Sequence, residues 1–260
     1  MQRLIEISAS EVAAHGRLVD DIYEERALGA IVRGVLAPEL LRRAVERVAA
    51  MEPDAPRVDT AEGGYALGVM LAPTASAPRG PSFDDYLAAT ERWSAAELLD
   101  ADARAAVDAA RSALAGGRAV RTPVAPDGRS YAAATLHVFP DGSGAPLHCD
   151  SYDALPCHEQ LNQLVDRRTQ LSWYVPLSLP ERGGALSVFQ LRHGDAAAAA
   201  APHQQDLPHD SYRVGPGDLI VFDGGRWFHR VDTCYGATPR RTWAGFGGLA
   251  ADGQSVFFWG

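Results

Sequence analysis

Residues 132–150 read AAATLHVFPDGSGAPLHCD, and this stretch shows the pattern that decides the fold. An apolar and β-branched run ends at Phe139, and a turn cluster of proline, aspartate, glycine and serine follows it. A second short run then ends at His148-Cys149-Asp150. Short runs of this kind, separated by turn residues, are typical of all-β sandwiches and barrels. The stretch therefore predicts a strand, a turn and a second extended segment.

The same pattern continues from about Arg118 to the last residue. Runs rich in β-branched and aromatic residues alternate there with clusters of glycine, proline and aspartate. The strands we expect are Ala132–Phe139, Gln170–Leu177, Ala185–Phe189, Asp218–Phe222, Trp227–Val231, Arg240–Phe246 and Ser255–Trp259. The alanine run Ala196–Ala201 is interpreted as a surface insertion because of its biased composition. Residues 118–260 are thus predicted to form a β-rich core.

Residues 1–117 are predicted to be mainly helical. An apolar stripe with helical spacing follows Pro38, and a second helix is expected from Ser94 to Gly116, where a glycine pair suits a C-terminal stop. The intervening stretch 52–82 is rich in proline, glycine and alanine, so we expect loop with one short strand around Tyr65 to Leu71. The helical region should pack on the β-rich core within one structural domain.

The composition excludes several classes of function. The chain has 260 residues, with 33 acidic residues against 24 basic ones, all arginine, and a net charge of −9. The lack of lysine excludes a lysine Schiff base and a P-loop lysine, and the negative charge makes nucleic acid an unexpected partner. Three cysteines without a CxxC pair, and no apolar run long enough for a membrane helix or a secretory signal, predict a cytoplasmic protein that does not bind membranes.

Three separated residues have the chemistry of a metal site. In an extended segment, residues two apart point to the same side, so His148 and Asp150 can meet one ion while Cys149 faces away. His229, in a later predicted strand, is the candidate third ligand. Two histidines and one carboxylate form the facial triad of non-haem Fe(II) oxygenases. A second such pair, His193-Gly194-Asp195, is interpreted as a decoy because it runs into the alanine insertion.

Four motifs between about Thr135 and Phe246 occur in the order found in one enzyme superfamily. They are Phe139-x-x-Gly142 before His148-x-Asp150, Trp173–Leu177 before Gly183-Gly184-Ala185-Leu186, Gly215–Phe222 before His229-Arg230-Val231, and Arg240-Arg241-Thr242. In these motifs the chain resembles the Fe(II)- and 2-oxoglutarate-dependent dioxygenases, on their prolyl-hydroxylase-like side. The resemblance covers a little under half of the chain.

The resemblance implies a fold, a set of cofactors and a reaction. The fold would be α+β, with a double-stranded β-helix (a jelly roll, as in cupins) buttressed by N-terminal helices. Fe(II) would be held by His148, Asp150 and His229, and 2-oxoglutarate and O2 would be the cosubstrates. The reaction would hydroxylate an unactivated C–H of a small molecule, an amino acid or a biosynthetic intermediate, and release succinate and CO2. Members that halogenate have a small residue at the place of Asp150, so the aspartate favours hydroxylation.

The closing motif is expected to anchor the cosubstrate. The distal carboxylate of 2-oxoglutarate needs a fixed cation, and an arginine offers it a planar bidentate fork. Arg240 and Thr242 share a strand face and are preferred for this role, while Arg241 on the opposite face is the rival. His137 is expected to line the cofactor pocket or to be a structural histidine.

Several alternatives remain open from the sequence. Segment 151–169 is interpreted as a lid, in which Tyr152, Asn162, Arg167 or Arg168 contacts substrate, or as a solvated connecting helix. A cupin-like metal enzyme that does not use 2-oxoglutarate would share the fold, and a non-catalytic β-sandwich binding module would share its pattern of strands. In related enzymes the helical region sometimes forms a dimer surface, so a homodimer is possible here too.

Overall fold

The computed structural model describes residues 2–71, 82–151, 159–198 and 207–260. These residues form a mixture of helices and mostly antiparallel sheets, as the expected α+β class requires. The α-helices are α1 Leu18–Tyr23, α2 Pro38–Met51, α3 Phe83–Arg92, α4 Ala101–Leu114 and α5 Leu161–Leu164. The strands are β1 Leu4–Ser8, β2 Gly29–Arg33, β3 Arg57–Asp59, β4 Tyr65–Leu67, β5 Ala119–Arg121, β6 Thr135–Phe139, β7 Ala145–His148, β8 Leu171–Ser178, β9 Arg182–Gly183, β10 Leu186–Arg192, β11 His209–Tyr212, β12 Leu219–Phe222, β13 Trp227–Val231, β14 Cys234–Tyr235, β15 Arg240–Leu249 and β16 Ser255–Trp259.

Two sheets carry the fold. The large sheet runs in the order β1-β2-β12-β8-β15-β6-β4-β3. Strand β16 also pairs with β15, and β5 pairs with β16. Neighbouring strands within the large sheet are antiparallel, except for the parallel pairs β1–β2 and β16–β5. The small sheet runs in the order β11-β10-β13-β7 and is antiparallel throughout.

Successive strands alternate between the two sheets. The chain passes from β6 in the large sheet to β7 in the small one, then to β8, to β10 and β11, to β12, to β13 and to β15. Side chains of both sheets line one cavity: His137 and Tyr174 come from the large sheet, and Leu186 and His229 from the small sheet. The alternation therefore brings residues that are distant in sequence to a common interior.

The helices α2 and α4 cover the other face of the large sheet. Val48 of α2 and Val107 of α4 belong to the same buried cluster as Trp173 of β8 and Trp243 of β15. The guanidinium of Arg111, also on α4, lies 4.2 Å above the Trp173 ring, a distance suited to a cation–π contact. None of the described helices is long and apolar enough to cross a bilayer.

All of the strands predicted in residues 118–260 are confirmed, with ends that differ by at most three residues. The predicted helix after Pro38 is also confirmed, and proline occupies its first turn. Of the predicted alanine insertion, residues 199–201 lie outside the described residues. The strands could be predicted because the apolar runs are short and clear turn residues separate them.

The predicted helix from Ser94 to Gly116 is wrong in its first part. Ser94 caps only a short 3₁₀ helix, Ala95–Leu98, and the α-helix begins after Asp100. The Asp100 side chain accepts from the Ala103 N–H at 2.9 Å while its own backbone is extended, so Asp100 is the N-cap at which α4 starts. An aspartate cap thus outweighed the alanine-rich helical pattern.

Elements of the N-terminal region were missed as well. Strands β1, β2 and β3 extend the large sheet, so the region is less helical than expected. Helix α3 begins just beyond the stretch 52–82 that was expected to be loop, and it was missed although Ser82 and Asp85 form a capping box that marks its start. The division at residue 117 stays a prediction.

Candidate active site

Strand pairing brings the two histidines of the predicted metal site together. His148, the last residue of β7, lies directly opposite His229 of β13, and their ring centroids are 4.3 Å apart. Asp150 follows β7, with Oδ2 3.2 Å from His229 Nε2 and Oδ1 3.5 Å from His148 Nε2. One ligand atom from each residue lies within 4.8 Å of the others. The predicted triad is therefore a compact cluster.

Backbone carbonyls orient both imidazoles. His148 Nδ1 lies 2.7 Å from the Pro146 carbonyl oxygen, and His229 Nδ1 lies 2.9 Å from that of Trp227. A carbonyl only accepts, so each Nδ1 donates and each Nε2 is directed at the centre of the cluster. Metal-ligating histidines are held in this way by a partner on the second nitrogen.

Asp150 is fixed by a strand of the large sheet and by the turn between β12 and β13. The Ser172 hydroxyl of β8 donates to Asp150 Oδ2 at 2.5 Å, and the Asp150 N–H donates to the Gly224 carbonyl at 2.9 Å. A Cβ at Gly224 would lie 1.9 Å from Ser172 Oγ and 2.9 Å from Asp150 Oδ2, so only glycine fits there. Cys149 faces away from the cluster, as predicted, with its thiol 3.0 Å from the Gly225 carbonyl.

The charges in the cluster suit a cation. Burial alone would raise the pKa of Asp150, but the neighbouring His229 and His148, with hydrogen bonds from His229 and Ser172, hold that pKa well below its usual range. Burial and the proximity of His229 lower the pKa of His148. Burial opposes protonation of His229 too, but Asp150 outweighs it and raises the pKa of His229. An ionised carboxylate between two imidazoles is a donor set that fits Fe(II).

The second pair, His193 and Asp195, is not part of this cluster. Both residues are exposed beyond the end of β10, where Asp195 accepts from the Arg192 N–H at 2.7 Å. Their placement agrees with the decoy interpretation.

A cavity extends from the cluster between the two sheets. It encloses about 610 Å³, part of it open to solvent, and most of its wall is apolar. Arg240, at the start of β15, lines it and is only 3% exposed. Its Nη1 lies 3.5 Å from Thr242 Oγ1, and its guanidinium lies 5.0 Å from the Tyr174 ring centroid.

The Arg240 guanidinium is a buried cation for which the described residues supply no anion. Among the described residues no carboxylate pairs with it, and its Nε has no hydrogen-bond partner. A buried charge is costly unless it is paired. Arg241 points to the opposite face of β15, where its Nη2 and Nε lie 2.9 and 3.0 Å from Glu52 Oε2. The cavity therefore presents one of the two candidate arginines, Arg240.

His137 lies in the wall between the metal cluster and Arg240. It is paired with Thr242 across β6 and β15, and its ring stacks on Phe139 with an interplanar angle of 12°. Burial, with the positive charge of Arg240, lowers the pKa of His137 from 6.5 to about 4. The imidazole is therefore neutral near pH 7 and offers one donor and one acceptor to a ligand.

Sequence reasoning missed part of the cavity wall. Ser172 and Tyr174 line it from one face of β8, and Phe222 and Phe246 line it from neighbouring strands. The alternation in Leu171–Ser178 was a usable signal, because residues two apart share a face. The strand pairing that brings Ser172 to Asp150 had no local signal.

The predicted lid is described only in part. Tyr152 lies outside the described residues. The expected short helix is α5, and Asn162 within it is half-buried. Arg167 and Arg168 line a separate pocket rather than the cavity at the metal cluster.

Comparison with known families and structures identifies the kind of protein. A family model described as "Carrier-protein-independent halogenase WelO5" matches residues 1–260. No curated protein sequence matches significantly.

Solved structures show the same fold at low sequence identity. An N-substituted L-amino acid dioxygenase from Burkholderia ambifaria AMMD superposes with a TM-score of 0.57 and 15% identity, over 95% of this chain and 91% of that one. The epimerase SnoN, in complex with Fe3+, alpha ketoglutarate and nogalamycin RO, gives a TM-score of 0.53 and 14% identity, over 91% and 81%. A prolyl hydroxylase from Trichoplax adhaerens gives 0.50 and 13%, over 91% of each chain. The chain therefore belongs to the WelO5 family, within the Fe(II)- and 2-oxoglutarate-dependent oxygenases, and its cofactors are Fe(II), 2-oxoglutarate and O2.

Proposed function

We propose that the chain hydroxylates a small molecule, and that His148, Asp150 and His229 are its Fe(II) ligands. The observation that carries the proposal is the ionised Asp150 carboxylate, 3.2 Å from His229 Nε2 and 3.5 Å from His148 Nε2. A carboxylate here fills a position that halogenating members of the superfamily leave to a halide. Asp150 therefore favours hydroxylation over the reaction in the family's name.

Arg240, Thr242 and His137 are the proposed binding residues for 2-oxoglutarate. The buried guanidinium of Arg240 needs an anion, and a distal carboxylate can accept from its fork and from the Thr242 hydroxyl. His137 is neutral and lies between this anchor and the metal cluster, so it can donate to a cosubstrate oxygen without repelling Arg240. A cupin-like enzyme without 2-oxoglutarate would leave the guanidinium buried and unpaired, which argues against that alternative.

The remaining residues of the cavity orient substrate and exclude water. When bound, Fe(II), 2-oxoglutarate and O2 supply the oxidising chemistry, in which one oxygen atom enters the substrate C–H bond and the other enters succinate, with release of CO2. Phe222 and Phe246 form apolar parts of the wall of the cavity that Asp150 also lines. Such walls hold a substrate by its apolar surface and keep bulk water from the reacting C–H bond.

The proposed substrate is an amino acid or a biosynthetic intermediate. The cavity of about 610 Å³ must hold the cosubstrate as well, so a compact molecule suits it better than a polymer. The dioxygenase from Burkholderia ambifaria named above acts on an N-substituted L-amino acid, which makes that class the first to screen.

The two interleaved sheets are proposed to be the double-stranded β-helix of this superfamily. The order β12-β8-β15-β6 faces the order β11-β10-β13-β7, and successive strands alternate between them. In this proposal residues 118–260 are the catalytic core and residues 1–117 support it within one domain.

An anaerobic titration with Fe(II) and then 2-oxoglutarate tests the site and the cosubstrate together. The native chain should give the weak visible charge-transfer band of chelated 2-oxoglutarate, and His148→Ala should give none. His209→Ala, an exposed histidine on β11 away from the cluster, is the matched control and should keep the band. Bound metal without any band in the native chain would contradict the proposal and favour a cupin-like enzyme.

A screen for succinate release with candidate substrates then tests the reaction. Mass spectrometry of the product should show a gain of one oxygen atom, taken from 18O2. A chlorinated product from the native chain in the presence of chloride would overturn the assignment of hydroxylation.

A further inference from the structure

The turn between β12 and β13 holds two of the three proposed metal ligands. Residues 223–226 form this turn, and we call it the glycine turn because two glycines lie at its centre. The Gly224 carbonyl accepts from the Asp150 N–H at 2.9 Å. Trp227, the next residue after the turn, accepts from His229 Nδ1 through its carbonyl at 2.9 Å. The positions of Asp150 and His229 therefore depend on the conformation of the glycine turn.

The two glycines cannot fix this conformation by themselves. Both are required by close packing, because a Cβ at Gly224 would lie 1.9 Å from Ser172 Oγ. A Cβ at Gly225 would lie 2.4 Å from the Gln170 nitrogen, just before β8. Glycine is also the residue with the greatest conformational freedom. The turn therefore needs contacts from other residues to hold it in one conformation.

Asp223 and Arg226, which flank the two glycines, are joined across the turn. Arg226 Nη1 donates to Asp223 Oδ2 at 2.7 Å, and Asp223 is 1% exposed. The Trp227 N–H donates to the Asp223 carbonyl at 3.3 Å. A buried ion pair adds little net stability because both charges lose their water. It does fix the distance between the two ends of the glycine turn.

A buried hydroxyl fixes the other oxygen of the Asp223 carboxylate. Thr169 is 3% exposed, and its hydroxyl donates to Asp223 Oδ1. The Asp223 N–H donates to the Leu28 carbonyl at 2.9 Å, so the main chain is held as well. Both carboxylate oxygens and the main chain of Asp223 thus have defined partners, which give the side chain one orientation.

The same network reaches the N-terminal region. Arg226 Nη1 also donates to the Ile22 carbonyl at 2.8 Å, and Nη2 donates to the Tyr23 carbonyl at 3.3 Å. These are the last two residues of α1, and an arginine can satisfy the carbonyls that a helix end leaves free. The Tyr23 hydroxyl donates to the Thr169 carbonyl at 3.2 Å. Helix α1 is thereby linked to the turn that holds Asp150.

We propose that Asp223, Arg226 and Thr169 are positioning residues of the metal site. None of the three lines the cavity at the metal cluster, so they act through the glycine turn, whose Gly224 carbonyl holds the main chain of Asp150. This assignment rests on the proposed function, because it takes Asp150 as an Fe(II) ligand. Partners that orient a ligand are needed for full metal affinity. Loss of the network should therefore weaken Fe(II) binding although every ligand is retained.

Thr169→Val tests the network in the metal-free chain. Valine has nearly the same size as threonine but lacks the hydroxyl that donates to Asp223. The glycine turn should then open more often, and the Asp150 amide hydrogen should be released from the Gly224 carbonyl. Its exchange with solvent, measured by NMR of the native state, should become about tenfold faster than in the native chain.

A reference amide separates this local effect from a loss of global stability. The Leu36 N–H donates to the Gly217 carbonyl at 2.8 Å and lies outside the network. A general loss of stability would not raise the exchange rate of Asp150 relative to that of Leu36. Thr169→Ser keeps the hydroxyl, and its exchange rate at Asp150 should stay within about twofold of the native rate.

Metal affinity tests the consequence for the proposed site. Thr169→Val should raise the Fe(II) dissociation constant about fivefold or more, which is less than the loss of a direct partner of a ligand would cause. Thr169→Ser should leave that constant unchanged. The matched control is Ser187→Ala, which removes a buried hydroxyl from Asp232 outside the network. It should change neither the Fe(II) dissociation constant nor the exchange rate at Asp150.

Arg226→Lys is a second variant that keeps the test decisive where Thr169→Val does not fold. Lysine keeps the positive charge next to Asp223 but lacks the planar fork that also reaches the two carbonyls of α1. The exchange rate of Asp150 should again rise relative to the reference amide, and the Fe(II) dissociation constant should rise with it.

The two measurements separate this proposal from the proposed function. Unchanged relative exchange at Asp150 in the folded variants, or an equal rise in Ser187→Ala, would overturn the positioning role. A native chain that binds no Fe(II) would count against the proposed function. The exchange rates need no metal, so they would still decide whether the network holds Asp150.

Discussion

The Ser172 hydroxyl lies 2.5 Å from Asp150 Oδ2, which ties a strand of the large sheet to the carboxylate that follows a strand of the small sheet. Asp150 lies beyond the end of β7, so the ladder to β13 does not fix its side chain. Its orientation depends on Ser172 and on the Gly224 carbonyl. The geometry of the metal cluster is therefore a property of both sheets.

Ser172→Ala should weaken metal binding without removing a ligand. The variant loses the hydrogen bond that orients Asp150, and loss of such a partner typically lowers metal affinity about 10- to 100-fold. Anaerobic titration with Fe(II) measures the dissociation constant directly.

Ser187→Ala is the matched control for this prediction. Ser187 is a buried serine of β10 whose hydroxyl lies 3.0 Å from Asp232, away from the cluster. Its loss should leave the Fe(II) dissociation constant unchanged. An equal loss of affinity in both variants would mean that Ser172 has no special role.

The period of two along an extended segment was enough to predict that His148 and Asp150 share a side and that Cys149 does not. The same rule separated Arg240 from Arg241, because adjacent residues of a strand face opposite ways. These are local properties, and the structure bears out the placement of each side chain.

The contacts between sheets could not be predicted in this way. Ser172 meets Asp150, and Gly224 leaves room for both, only because β8 and β12 are neighbours in the large sheet. Strand neighbours are set by the whole topology rather than by any one stretch.

Arg240→Gln should abolish tight binding of 2-oxoglutarate. The glutamine keeps a polar end but loses the charge and the planar fork, and two charge-assisted hydrogen bonds at about 1.5–3 kcal/mol each correspond to at least a 100-fold rise in the dissociation constant. The charge-transfer band, titrated with 2-oxoglutarate, gives that constant.

Arg241→Gln, one residue away, is the control. It removes the same charge but breaks a partly exposed pair with Glu52 on the opposite face. The free energy of unfolding should fall by no more than about 1 kcal/mol, and the affinity for 2-oxoglutarate should not change. A larger loss of 2-oxoglutarate binding in Arg241→Gln than in Arg240→Gln would reverse the assignment of the anchor.

His137 should make the metal-free chain less stable in acid. Burial, with Arg240, lowers the pKa of His137 from 6.5 to about 4, so between these values the unfolded chain binds more protons than the folded chain. Stability then rises with pH across this window and is progressively lost as the pH falls from 6.5 to 4, by up to about 3 kcal/mol.

His137→Phe should remove the part of the pH dependence of the free energy of unfolding that comes from His137. Urea unfolding of the metal-free native chain and of the variant, at intervals from pH 4 to pH 8, gives the two curves. Above pH 7 they should run parallel, and below pH 6.5 the native curve should fall more steeply. Parallel curves over the whole range would mean that folding does not disfavour the charged form of His137.

Asp150→Gly should open a position at the metal site that an anion can occupy. His148 and His229 keep their carbonyl partners, so two ligands stay oriented while the carboxylate and its negative charge are lost. Fe(II) affinity should fall at least tenfold, since a charged ligand is removed. Chloride should then shift the charge-transfer band of the variant and leave that of the native chain unchanged, because the Asp150 carboxylate occupies the position there.

Asp223→Asn is the control for loss of charge, because Asp223 is a buried carboxylate outside the cluster, and this variant should show no chloride effect. A chloride-dependent shift in the native chain would remove the physical ground for preferring hydroxylation to halogenation.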